Sequence, residues 1–208
     1  MQWVNRLAEL IEDWSYLIRR DGCRTATPEV IQAIVTLPYR RMRFVVVARS
    51  LLEPLPDLQP KIALEIREFG PADVGLVKQI DRPSEAKACA QRLARGHKGL
   101  LALYQGQPAG YAWGCTEMTL ERVHLELDPG DVLCTDAYTA PPFRGRGIQT
   151  VLTLSRFRLF RDLGYRRAIS YIEANNHPSL AVWRKFGSQV VGHVDFKRVG
   201  TWRQVCHD

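Results

Sequence analysis

Between Asp131 and Gly164 the chain reads DVLCTDAYTAPPFRGRGIQTVLTLSRFRLFRDLG, a β-prone run delivered by two prolines into the glycine-rich start of a long helix. Asp131 to Thr139 has strand composition, Ala140, Pro141 and Pro142 end it, and Gly145 to Leu163 reads as an amphipathic helix closed by Gly164. A helix start carries unpaired N–H groups and the positive end of the backbone dipole, which makes it an anion site. Gly145 and Gly147 let phosphate oxygens approach the backbone closely, and Arg144 and Arg146 add charge and donors. The turn reads either as a pyrophosphate cradle or as a glycine-rich turn with solvated arginines. It lacks the Gly-Lys-Ser/Thr ending of a nucleoside-triphosphate loop and the glycine spacing of a dinucleotide fingerprint.

The surrounding pattern is mixed. Gln2 to Arg20 is predicted helical, with Trp3, Leu7, Leu10, Ile11, Trp14, Leu17 and Ile18 on one stripe. Thr27 to about Val35 reads as a weaker helix. Phe44 to Val47 lies in a predicted strand, and the proline-rich run from Glu53 to Pro60 reads as a connector. We therefore separate an N-terminal extension, 1–60, from a domain at 61–208. In the latter, strands are predicted at Lys61–Phe69, Gly99–Tyr104, Ala109–Met118, Asp131–Thr139, Arg166–Ala174 and Gln189–Arg198, with a short last one at Thr201–Val205. Helices are predicted at Pro71–Ile80, Pro83–Gly96, Gly145–Leu163 and Pro178–Phe186, and Gln105 to Pro108 signals a hairpin. The alternation argues for a central sheet covered by helices.

Composition narrows the class. Five scattered cysteines without a C-x-x-C pair read as free thiols, not a disulfide or zinc framework. No apolar run approaches the roughly 20 residues that span a bilayer, so the expectation is a cytoplasmic protein with no integral membrane segment. The net charge of +7 permits an anionic partner. The cations are dispersed and no nucleic-acid motif is present, so nucleic acid is not expected as a partner.

The turn resembles that of the Gcn5-related N-acetyltransferase (GNAT) superfamily, whose signature is Gln or Arg, then Gly three residues on, then Gly or Ala two further. Arg144 and Gly147 match, and Gln149 stands in the last position. A second element agrees. The family places an Asn after the next strand, then a Ser or Ala, a Tyr, a Gly and an aromatic at fixed spacing. Asn176, Ser179 and Gly187 match, Trp183 replaces the Tyr and Ser188 the aromatic. The resemblance runs from about residue 61 to 208.

The resemblance implies an α/β (α+β) fold: a mixed, mostly antiparallel sheet with a splayed pair of parallel strands, flanking helices and the N-terminal extension. It implies an N-acetyltransferase that uses acetyl-CoA or another acyl-CoA as co-substrate, with no metal. The donor would lie between the strands Asp131–Thr139 and Arg166–Ala174. Backbone at Ala137, Tyr138 and Thr139 would bind the pantetheine and polarise the carbonyl. Arg144, Gly145, Arg146, Gly147, Ile148 and Gln149 would hold the pyrophosphate, with Asn176, Ser179 and Trp183 completing the site. The amine attacks directly, so catalysis rests on positioning, carbonyl stabilisation and proton removal.

The base is the open question. One family position falls on Leu133, which cannot titrate, and another on Tyr171. Glu173 shares the face of Tyr171 by strand parity, whereas Asp136 lies opposite Leu133 unless a bulge intervenes. Glu173 and Tyr171 are the first candidates and Asp136 the third. The usual acid position is Trp183, which cannot give up a proton usefully. Two alternatives stay open: a longer-chain N-acyltransferase served by an acyl carrier protein that docks on Arg40, Arg41 and Arg43, and a non-catalytic acyl-CoA-binding module. A small-molecule amine is the first candidate acceptor, with a protein or peptide amine next. The N-terminal helix either packs on the domain or makes a homodimer contact.

Overall fold

The computed structural model describes residues 2–21, 39–56, 58, 62–116, 127–199 and 202–207. The helix expected at Thr27–Val35 and most of the loop from Glu117 lie outside them. The strands are β1 (Tyr39–Ser50), β2 (Glu65–Glu68), β3 (Lys98–Tyr104), β4 (Gln107–Cys115), β5 (Asp131–Thr139), β6 (Arg167–Glu173), β7 (Gln189–Val199) and β8 (Trp202–His207). They form one sheet in the order β2-β3-β4-β5-β6-β1-β7-β8. Every neighbouring pair is antiparallel except β5 and β6, which are parallel.

The helices are α1 (Gln2–Asp21), α2 (Val74–Ile80), α3 (Pro83–Ala94), α4 (Ile148–Asp162) and α5 (His177–Lys185). Leu154, Phe157 and Phe160 of α4 and Trp183 of α5 pack with Val132 and Cys134 on one face of the sheet. Val77 and Ile80 of α2 and Ala86 and Cys89 of α3 pack against Leu101, Leu103, Tyr111 and Trp113 on the other. Strands covered on both faces have no polar side, which is why β3 and β4 read as nearly unbroken apolar runs. The hairpin between them closes at Gln105 and Gly106, both with positive φ (51° and 76°), as a two-residue turn of the twist-compatible kind.

The strand predicted around Phe44–Val47 belongs to the sheet itself. β1 lies between β6 and β7, with Phe44 opposite Glu173 and Ser50 opposite Arg167 on one side, and Tyr39 opposite Val199 on the other. Val46 and Val47 are both buried, so the uninterrupted apolar run suits a central strand. The segment 1–60 thus contributes a strand to the sheet of 61–208. α1 lies on α3, where the Asp13 carboxylate accepts from the Ser84 hydroxyl (2.7 Å) and backbone N–H (3.3 Å), capping the start of α3 from a neighbouring helix. Ile11 and Trp14 of α1 stay exposed.

The edge strand expected over Lys61–Phe69 is only Glu65–Glu68, because its ladder to β3 runs no further than Glu65–Leu103 to Glu68–Leu100. Just after it, buried Asp73 accepts two hydrogen bonds from Arg67 (2.8 and 2.6 Å) and one from the Gly70 N–H (2.8 Å). The Arg67 hydrogen bonds hold its carboxyl below the usual carboxylate range. A depressed folded value contributes stability that is present above the ordinary carboxylate pKa and lost as pH falls through the folded one. Asp73→Asn is expected to lower stability at pH 7 by about 1–2 kcal/mol, a modest figure because Arg67 is open to solvent. Urea denaturation at pH 7 and in acid tests this: the difference between wild type and variant should shrink in acid.

Candidate functional site

β5 and β6 are held together at one end and part at the other. Asp131 pairs with Arg167, Val132 with Ala168 and Leu133 with Ile169, and the ladder stops there. The closed end is bolted by Arg167, whose Nε and Nη2 donate to Asp131 (2.8 and 2.6 Å) and whose Nη2 also donates to Asp128 (2.6 Å). The last tie is the Ser170 hydroxyl, which donates to the Cys134 carbonyl (2.9 Å). Beyond it β6 stays with β1, which pairs with it as far as Glu173. β5 follows β4 instead, to Thr139 opposite Gly110.

β5 also carries a bulge. Tyr111 faces Tyr138 and Trp113 faces Thr135, so Ala112 alone stands against Asp136 and Ala137. Asp136 has φ 43°, a left-handed conformation that Asp tolerates better than most residues. The bulge overrides the strand parity that sets Asp136 opposite Leu133. The Asp136 carboxylate reaches α3, where Arg92 Nη2 lies 2.8 Å away and Glu85 is 3.9 Å from the same nitrogen. Burial raises the Glu85 pKa above the usual carboxylate range. Sequence reading missed this pair, although Glu85 and Arg92 stand seven apart on one helix and therefore on one face.

The parted strands enclose a cleft of about 330 Å³. Its lining brings together Asp136, Tyr171 and Glu173, the three candidates for proton removal, with Ala137, Gln149, Asn176, Ser179 and Trp183. The Tyr171 hydroxyl is buried without a hydrogen-bond partner, and burial pushes its pKa up to about 12. Cys134 also lines the cleft, and burial raises its thiol pKa, so it holds no thiolate at neutral pH. Trp183 is 3% exposed and packs edge-on against Phe157, with ring centroids 5.1 Å apart. Asn176 caps α5, its side-chain carbonyl accepting from the Ser179 N–H at 3.2 Å, which leaves the amide NH₂ as its donor.

At the mouth stands the start of α4. The helix expected from Gly145 begins at Ile148, because Pro141–Phe143 forms a 3₁₀ turn and Gly145 and Gly147 have φ of 77° and 82°. No side chain caps the helix, so its first-turn amides are presented to whatever lies in front. A Cβ at Gly145 or Gly147 would meet no atom within 4 Å, so the space before the turn is open. Arg144 and Arg146 are exposed; Arg144 Nε donates to the Thr139 carbonyl (3.1 Å), and the Arg146 guanidinium lies over the Tyr104 and Phe143 rings. Gln149 is drawn onto the Thr139 hydroxyl at 3.4 Å. An uncapped helix start, two open glycines and two arginines fit a diphosphate, and the parted strands fit the extended arm that follows it.

A larger hollow of about 480 Å³ lies where Arg20 of α1 and Ile80 of α2 meet Pro141–Phe143. Among the described residues its lining has no carboxylate, thiol or histidine, whereas the three candidates for proton removal line the smaller cleft. Among the described residues no group of three His, Cys, Asp or Glu is placed to hold a metal, and no helix is long and apolar enough to cross a membrane.

Comparison with known proteins agrees with this geometry. The model of the acetyltransferase (GNAT) family matches residues 66–188. A mycothiol acetyltransferase of Saccharomonospora viridis is 39% identical over 51 residues, 24% of this chain and 17% of that protein. A Gcn5-related N-acetyltransferase of Sphaerobacter thermophilus superposes with a TM-score of 0.56 at 18% identity, over 87% of this chain and 56% of that one. A Drosophila protein does so at 0.58 and 17% identity, over 88% and 59%. The chain therefore spans between half and two thirds of the length of these structural neighbours.

Proposed function

Because the chain belongs to the acetyltransferase (GNAT) family, we propose that it transfers an acyl group, acetyl first, from coenzyme A to an amine by direct attack. The observation that carries this reading is the opening of the parallel pair β5–β6 beside an uncapped, glycine-flanked helix start. The name of the mycothiol acetyltransferase relative supports acetyl as the transferred group.

In this reading the first turn of α4 and Arg144 and Arg146 hold the diphosphate. The pantetheine lies along β5 from Ala137 to Thr139, where the β5–β6 ladder has ended and backbone groups can pair with an amide-bearing arm. Asn176 donates to that arm from the other wall. The carbonyl oxygen would lie at the bulge around Ala137, where backbone amides acting as fixed dipoles stabilise the charge that develops during attack. Glu173 takes the proton from the amine, and Tyr171, a neutral phenol at physiological pH, serves as a donor. Glu85 and Asp136 place carboxylates about Arg92 on the α3 side, which suits an acceptor that arrives as an ammonium ion.

The test is a matrix of acyl-CoA donors, from acetyl to long chains, against small amines, amino sugars and peptide amines, read as thiol release. Release with acetyl-CoA and at least one amine is the expected result. Binding of CoA without release for any pair would overturn the enzyme assignment, and absence of CoA binding would overturn the site as well.

A further inference from the structure

Among the described residues, the cleft contains a cation with no counter-ion. Arg156 of α4 is 2% exposed, yet it lines the cleft beside Cys134, Ser179 and Trp183. Its Nη1 donates to two backbone carbonyls, Trp113 at 2.9 Å and Thr135 at 3.1 Å. Its Nε is buried without a hydrogen bond, and no described carboxylate pairs with the guanidinium. A buried, unpaired charge is strongly unfavourable, and a neutral donor would serve the two carbonyls at the bulge. An arginine there implies an anion that arrives.

That anion is not the diphosphate. Arg156 lies eight residues beyond Ile148, about 12 Å along the helix axis from the phosphate turn. It stands at the level of Thr135, where β5 and β6 separate and where the reacting end of the donor must lie. We propose that Arg156 stabilises the thiolate that leaves during transfer, a role that rests on the acyl-transfer reading above. The amine nitrogen forms the bond to the carbonyl carbon as the carbon–sulfur bond breaks. Sulfur keeps the electron pair, and the amine proton goes to the base. Trp183 stands where an acid would otherwise protonate the sulfur, so charge stabilisation takes the place of proton donation.

Among the described residues, the titratable and charged groups facing the cleft are Cys134 and Asp136 of β5, Arg156 of α4, and Tyr171 and Glu173 of β6, with none on the lining of α5. Cys134 and Tyr171 are neutral at pH 7. Asp136 is paired with Arg92, and Glu173 stands on the β6 wall.

The experiment titrates the thiol of free CoA bound to the intact protein, by thiolate ultraviolet absorbance against the desulfo-CoA complex. In the wild type the bound thiol should titrate about one to two pH units below the value of CoA free in solution, measured alongside. In Arg156→Met it should return to the free-solution value or above, while CoA affinity by calorimetry changes less than about threefold. Arg156→Gln, which keeps a donor for the carbonyls, is read in the same way if the Met variant does not fold. Arg156→Lys should keep most of the depression. The kcat of the neutral variants should fall roughly 10- to 100-fold. A wild-type thiol titrating at its ordinary value overturns the proposal, as does a depression that survives in a neutral variant. Loss of CoA binding by the wild type would instead overturn the acyl-transfer reading beneath it.

Discussion

Replacing Gly147 with aspartate is expected to remove measurable donor binding, with CoA affinity falling at least about 100-fold. Two effects add. Gly147 has φ 82°, where a residue with a Cβ costs about 1–2 kcal/mol, and the new carboxylate stands before the first-turn amides that the diphosphate needs. The second effect is the larger, since it turns an anion site into a like-charge contact at the open end of a helix. Strain and charge separate cleanly through Gly147→Ala, which carries the strain alone and should weaken binding by less than about tenfold, or 1.4 kcal/mol. Steric conflict with the protein is not involved, because a Cβ at this position meets nothing within 4 Å. Calorimetry with CoA measures both variants, and thermal unfolding checks that they fold. An aspartate variant that binds CoA as the wild type does would remove the diphosphate from this turn.

How far the sequence reveals the site depends on how local each feature is. The strand, the prolines, the two glycines and the helix from Asp131 to Gly164 are contiguous, and each residue's preference agrees with its neighbours', so the turn is readable without a structure. The start of α4 is misplaced by three residues because glycines at positive φ delay the helix. Placement of β1 between β6 and β7 is a different kind of fact. It depends on pairing residues near 44 with residues near 173 and 194, and no local signal carries that register. The Asp136 bulge is hidden for a related reason: parity along a strand is a rule about regular pleating, and one extra residue inverts it. Arg156 is hidden by its type, since an arginine in an amphipathic helix reads as solvated until the packing around it is seen. Leu133 and Trp183 are informative in the opposite sense, because the family resemblance sets them, groups that cannot titrate, at one of its base positions and at its acid position, with Tyr171 at the other base position.

Where the proton goes is decided by comparing the three groups that line the cleft. Asp136 has an oxygen engaged 2.8 Å from Arg92, and the Tyr171 phenol, pushed up to about 12 by burial, is protonated throughout the physiological range. Glu173 is the carboxylate on the β6 wall, two residues beyond Tyr171 on the same face and next to the Asn176 cap. Glu173→Gln preserves its shape and removes only its ability to accept a proton. We expect kcat to fall about 100- to 1000-fold with CoA affinity within about threefold of wild type, the signature of a group that acts in the transition state and not in donor binding. Tyr171→Phe should cost less than about tenfold, as loss of a hydrogen-bond donor would. Should Glu173→Gln retain a fifth or more of wild-type kcat, the proton must leave by Asp136 or Glu85, on the α3 side of the site.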